Sequence, residues 1–134
     1  MDKTNKPDFE TKHLPKEYDV IAPDKSKIRL LLTMKRGSMV HCTLPPHTTS
    51  LAVRHKTVEE IWYFIQGCGE VWRKKRDQEE VVEARPGVCI TIPTGTHFQF
   101  RNTGNEPLHF VIATMPPWPG KDEAVRVKDY WDPA

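Results

Sequence analysis

From residue 28 onward, apolar and polar side chains alternate in short runs, and most runs end on glycine, proline or asparagine. A period of two is the mark of a half-buried β-strand, because successive strand side chains point to opposite faces. The runs predict strands over 28–34, 39–44, 50–55, 61–66, 70–73, 81–84, 88–92, 97–101 and 108–115. Pro86-Gly87, Pro93-Thr94-Gly95 and Asn102-Thr103-Gly104-Asn105 supply turns between them, since these residues tolerate the backbone angles that turns require. Short, evenly spaced strands with little helix predict an all-β fold, an antiparallel sandwich or barrel. Residues 1–27 are polar and carry three scattered prolines, Pro7, Pro15 and Pro23, so they read as an irregular N-terminal arm. The barrel is expected over 28–115. A C-terminal tail follows over 116–134, broken by Pro116-Pro117-Trp118-Pro119-Gly120 and with a short helix expected around 122–127.

The 134 residues leave room for one domain with modest arms. With 20 basic and 18 acidic residues, the formal net charge of +2 gives no basis for a nucleic-acid partner. The densest basic cluster, Arg73-Lys74-Lys75-Arg76, is followed at once by Asp77, Glu79 and Glu80, as in a solvated hairpin tip. No apolar stretch approaches the roughly 18 residues needed to span a bilayer, so no membrane partner is expected. Cys42, Cys68 and Cys89 form no CxxC pair and are odd in number. A reducing, cytoplasmic setting is therefore expected, with each thiol acting as a small apolar residue in or beside the core.

Candidate chemistry sits on two strands. His55 and Glu60 flank a turn at the start of one apolar run, and His97 opens another. Imidazole and carboxylate brought together inside a small barrel are the donors of a divalent-metal site. Strand parity puts Val53 on the face of His55, and Trp62 and Phe64 on the face of Glu60.

These residues resemble the two motifs of the cupin superfamily, G-x5-H-x-H-x3,4-E-x6-G and G-x5-P-x-G-x2-H-x3-N. Glu60 and Gly67 stand at the E-x6-G spacing, and His55 precedes Glu60 as the second histidine of the first motif does. Gly87, Pro93 and Gly95 reproduce G-x5-P-x-G, with Asn102 closing the second motif. The chain is similar to small, single-domain, bacterial-type cupins over residues 28–115. The resemblance implies a double-stranded β-helix, or jelly-roll barrel, with a ligand pocket in its interior. It also implies a homodimer.

Three departures bear on the chemistry. Val53 stands where the leading histidine would be, and His47 where the opening glycine would be. In the second motif the histidine position falls on Phe98, leaving His97 one residue early. A regular strand turns Phe98 and Phe100 inward and His97 outward, whereas a bulge near Thr96 would re-aim His97 into the barrel. The expected metal ligands are therefore His55, Glu60 and, with a bulge, His97, an incomplete site suited to Fe, Mn, Zn or Ni. The expected pocket is lined by Val53, Trp62, Phe64, Phe98 and Phe100. Three functions remain open: a module binding a small organic molecule, a metal-dependent isomerase, dioxygenase or cyclase acting on a small metabolite, or a structural, partner-binding protein working through its arms in an oligomer. In the second, Glu60 would be the catalytic group.

Overall fold

The computed structural model describes residues 8–133, so the first seven positions of the expected arm lie outside the described residues. Among the described residues, eleven strands form two antiparallel sheets. They are β1 (Val20–Ile21), β2 (Lys27–Thr33), β3 (Ser38–Leu44), β4 (Val53–His55), β5 (Glu59–Gln66), β6 (Gly69–Lys75), β7 (Gln78–Ala84), β8 (Cys89–Ile92), β9 (His97–Asn102), β10 (Leu108–Met115) and β11 (Ala124–Arg126). One sheet has the order β1-β2-β3-β10-β5-β8 and the other β11-β4-β9-β6-β7. The expected jelly-roll barrel is present, and both arms add a strand to it.

The alternation in the sequence becomes the inner and outer faces of these sheets. On β5, Glu60, Trp62 and Phe64 are buried while Ile61, Tyr63 and Ile65 are exposed. Opposite them on β10, Leu108, Phe110, Ile112 and Thr114 point inward. The two strands pair through Phe110↔Phe64, Ile112↔Trp62 and Thr114↔Glu60. Phe98 and Phe100 enter from the other sheet, and Trp62 meets their rings edge-on at 5.3 Å in both cases. Edge-to-face contact lets aromatic rings fill a narrow inter-sheet space with favourable quadrupole alignment. Phe64 packs against Phe110 with the ring planes tilted by 35° and the centroids 4.6 Å apart.

The motif glycine Gly67 has a backbone reason to be glycine. Its φ is +87°, and a Cβ there would lie 2.6 Å from the Pro107 carbonyl oxygen. The helix expected around 122–127 is replaced by β11, which pairs with β4 through Ala124↔His55, Val125↔Arg54 and Arg126↔Val53. The unpaired edge of β4 offers backbone hydrogen bonds that a six-residue helix could not match. Beyond β11 the tail is strapped to the outer face of its sheet by Gln99. Its Oε1 accepts from the amides of Tyr130 and Trp131 at 2.9 and 2.8 Å, and its Nε2 donates to the Trp131 carbonyl at 2.8 Å. Of the three cysteines only Cys42 is in the core, whereas Cys68 and Cys89 are exposed, against expectation. Cys89 sits on the outward parity of β8, and Cys68 lies in the turn after Gly67.

Candidate functional site

A cavity of about 440 Å³ opens between the sheets at the end where β4, β5 and β9 begin. Val53, Trp62, Phe98, Phe100 and Ile112 form its apolar walls. His55 and Glu60 reach it from either end of the β4–β5 turn, because parity places both on the inner face. Gly95, with φ +82°, lets the β8–β9 turn fold under β4, where its amide donates to the His55 carbonyl at 3.0 Å. Expected pocket residues Val53, Trp62, Phe98 and Phe100 are thus brought together. Phe64 is not: one inward position further along β5, it is sealed behind Trp62, with its ring 6.3 Å from that indole.

Glu60 is buried, and both of its oxygens are held. Oε1 accepts from Trp62 Nε1 at 3.0 Å and Oε2 from Thr114 Oγ1 at 2.7 Å. Loss of water outweighs these two bonds and, with smaller contributions from the charges of Asp24 and Glu123, pushes the Glu60 pKa up to about 7. Burial acts the other way on His55, lowering its pKa to about 4 against the pull of Glu123. His55 Nδ1 lies 3.8 Å from Glu60 Oε1, too far for a hydrogen bond. Near pH 6 both groups are neutral, so this contact is not an ion pair. Among the described residues, His55 Nδ1 has no hydrogen-bond partner. Its ring instead packs edge-on against Phe98 at 5.0 Å and Trp118 at 5.1 Å.

Several cavity residues were not foreseen. Thr114 is the one polar side chain on the inward parity of β10, and that alternation could have revealed it. Asp24 and Ser26 come from the β1–β2 turn, where Asp24 Oδ1 accepts from the Ser26 amide and hydroxyl at 3.0 and 2.6 Å. Burial raises the Asp24 pKa, opposed by those two bonds. Trp118 and Lys121 come from the C-terminal segment and close the mouth. Nothing local in the sequence points these arm residues toward the barrel.

His97 does not join the site. The β6–β9 ladder runs from Gly69↔Asn102 to Lys74↔His97 without a register shift, so no bulge re-aims it. It therefore faces outward, and burial together with the nearby cations of Arg54 and Lys74 lowers its pKa. Val53 and Phe98 face each other across β4 and β9, and these are the two positions where the motifs would place histidines. A model of the cupin domain matches residues 40–114. The chain belongs to the cupin family.

An uncharacterised protein of Methanocaldococcus jannaschii is 32% identical to this cupin over 118 residues, covering 81% of this chain and 91% of that protein. Two solved structures share its fold. A double-stranded β-helix protein of Klebsiella pneumoniae superposes with a TM-score of 0.64 at 18% identity, over 84% of this chain and 92% of that one. Streptomyces PAC13, in a complex with uridine, superposes with a TM-score of 0.69 at 13% identity, over 90% and 92%.

The family implies a divalent metal, and the residues present do not fit one. Of the expected ligands only His55 and Glu60 converge, while His97 faces outward. Among the described residues, no group of three histidine, cysteine, aspartate or glutamate side chains is placed to hold a metal ion. Where the motifs would supply two more donors, Val53 and Phe98 present hydrocarbon.

Proposed function

We propose that this cupin binds a small organic molecule in the cavity between its sheets. The carrying observation is the cavity itself, about 440 Å³ in volume, with apolar walls and a few convergent polar groups around Glu60 and His55. Small-molecule sites typically measure about 300–1,000 Å³ and have this mixture of surfaces. That PAC13 is seen with uridine supports the reading by showing that a protein of this fold can hold a molecule of nucleoside size. A ligand bound only to the native state raises its melting temperature in a saturable way. A metabolite screen by thermal shift tests the proposal, beside a Val40→Phe variant that narrows the cavity from β3. Saturable stabilisation of the wild type, lost in the variant, is the expected result. Equal stabilisation of both, or none by any compound, would contradict it.

One observation favours an enzymatic reading of the same cavity. A carboxyl whose pKa lies near 7 can give or take a proton at neutral pH, which is what a general acid–base group requires. In that case Glu60 exchanges a proton with the bound molecule. Trp62 and Thr114 keep its carboxyl in one orientation, and the apolar walls exclude water. Conversion of a bound ligand by the wild type and not by Glu60→Gln would establish it.

The expected homodimer has a suitable surface on the outer face of the six-stranded sheet, where Met39, Ile61, Tyr63 and Ile65 are exposed. Sedimentation equilibrium with Ile61→Lys and Tyr63→Lys tests that assignment. Two exposed free cysteines suit a reducing compartment such as the cytoplasm.

A further inference from the structure

Hydrogen-bond donors and acceptors are unequally distributed over the cavity floor. The Ser26 amide and hydroxyl are committed to Asp24, and the Trp62 indole and the Thr114 hydroxyl are committed to Glu60. Each hydroxyl has a single proton, so these donors are spent, whereas a carboxylate offers about four lone-pair sites. Acceptor capacity is therefore what Asp24 and Glu60 still present to a ligand. His55 adds a neutral imidazole, one ring nitrogen an acceptor and the other an N–H donor, and among the described residues its buried Nδ1 has no partner. A cation also lines the cavity, Lys121, but it stands exposed at the mouth, where water screens it.

We infer that the molecule this cavity takes is a small apolar amine, its ammonium held by Glu60 and Asp24 and its hydrocarbon part by Trp62, Phe98 and Phe100. The inference rests on the reading of the cavity as a ligand site and gives that ligand a chemical class. An ammonium brings three donors and no acceptor, the complement of this floor. Its charge supplies a counter-ion to two carboxyls whose hydrogen-bond partners, Ser26 for Asp24 and Trp62 and Thr114 for Glu60, are all uncharged. A ligand carboxylate would meet like charge wherever Glu60 and Asp24 are ionised, with the single N–H of the neutral His55 imidazole as the uncommitted donor left to it. A neutral alcohol would fit the walls and donate one hydrogen bond to a carboxyl, but it would lack the ammonium's charge and its other two donors.

The test is calorimetric titration at pH 8 with three probes of one shape: cyclohexylmethylamine, cyclohexylmethanol and cyclohexanecarboxylate. The amine is expected to bind at least about tenfold more tightly than the alcohol, and the carboxylate not measurably. Glu60→Gln and Asp24→Asn should each reduce the amine-to-alcohol ratio by about threefold or more. Two variants are used so that a folding defect in one leaves the other decisive. If the alcohol or the carboxylate binds as tightly as the amine, or the ratio survives both variants, the amine assignment is wrong while the cavity remains a ligand site. If none of the three binds, the ligand cavity itself is overturned.

Discussion

Replacing Glu60 with glutamine removes a titratable group while keeping its shape and both hydrogen bonds: the amide oxygen can accept from Trp62, and the NH2 group can donate to the Thr114 hydroxyl. The native carboxyl holds its proton up to about pH 7, whereas in the unfolded chain it ionises at 4.5. The folded pKa is the higher one, so its contribution is full below pH 4.5 and is lost as pH rises toward 7. At 1.36 kcal/mol per pH unit, the loss is about 3 kcal/mol. His55 runs the opposite way: its folded pKa is lowered from 6.5 to about 4, so stability rises as pH climbs between those values. His41, lowered to about 4 by burial, the His109 imidazole and Arg29, adds to that rise. The opposing slopes mask one another in the wild-type pH profile, and the difference between variant and wild type isolates Glu60. Urea unfolding at pH 4.5 and pH 8 measures it. The expected result is near-equal stability in acid and a Glu60→Gln variant more stable by about 3 kcal/mol at pH 8. A difference that does not change with pH, or a variant that is worse at pH 8, would show that Glu60 ionises as an ordinary carboxylate and refute the reasoning.

Three further outcomes follow from the geometry. Val53→His with Phe98→His restores both missing motif donors beside His55 and Glu60, and elemental analysis after equilibration with Zn or Ni should find near-stoichiometric metal in the double variant but little in the wild type. Equal content in both proteins would show that the two apolar residues do not decide metal binding. Glu123 accepts from the Thr57 amide, the Thr57 hydroxyl and the Val58 amide at 2.6, 2.7 and 2.8 Å, fastening the C-terminal segment over the β4–β5 turn. Glu123→Ala should cost about 2–4 kcal/mol by thermal or urea unfolding at pH 7. These bonds hold the Glu123 pKa below 4.5 despite burial, so the penalty should be complete above that pH and shrink as acid protonates the wild type. Gln99→Ala removes the bonds that strap Tyr130 and Trp131, and limited trypsin digestion should then cut at Lys128 faster than in the wild type. An unchanged rate would mean that β11 and Glu123 hold the tail without help.

The barrel was legible in the sequence because period-two alternation is a direct readout of a sheet with one buried face. Residues such as Trp62, Phe98 and Phe110 lie where parity places them. The same parity correctly turned Phe98 inward and left His97 outside, once the regular β6–β9 register removed the possibility of a bulge. Depth was harder to read than face: Phe64 and Trp62 share a face, yet only Trp62 reaches the cavity, because the space closes along the strand. The tail was misread because its strand is made by the open edge of β4, a long-range partner that no local propensity reports. Asp24, Trp118 and Lys121 were missed for the same reason, since they reach the cavity from the arms. The exposed Cys68 and Cys89 show that an apolar neighbourhood in sequence does not fix which way a small side chain points.

The most direct test of the account follows the methyl groups of the protein by NMR while a thermal-shift hit, or the amine probe, is titrated in. Leu30, Val40, Val53 and Ile112 line the cavity, whereas Ile61 and Ile65 are exposed on the outer sheet face. The account predicts saturable shifts concentrated at the first four residues and silence at the other two. Shifts confined to Ile61 and Ile65, with the cavity methyls unmoved, would contradict it.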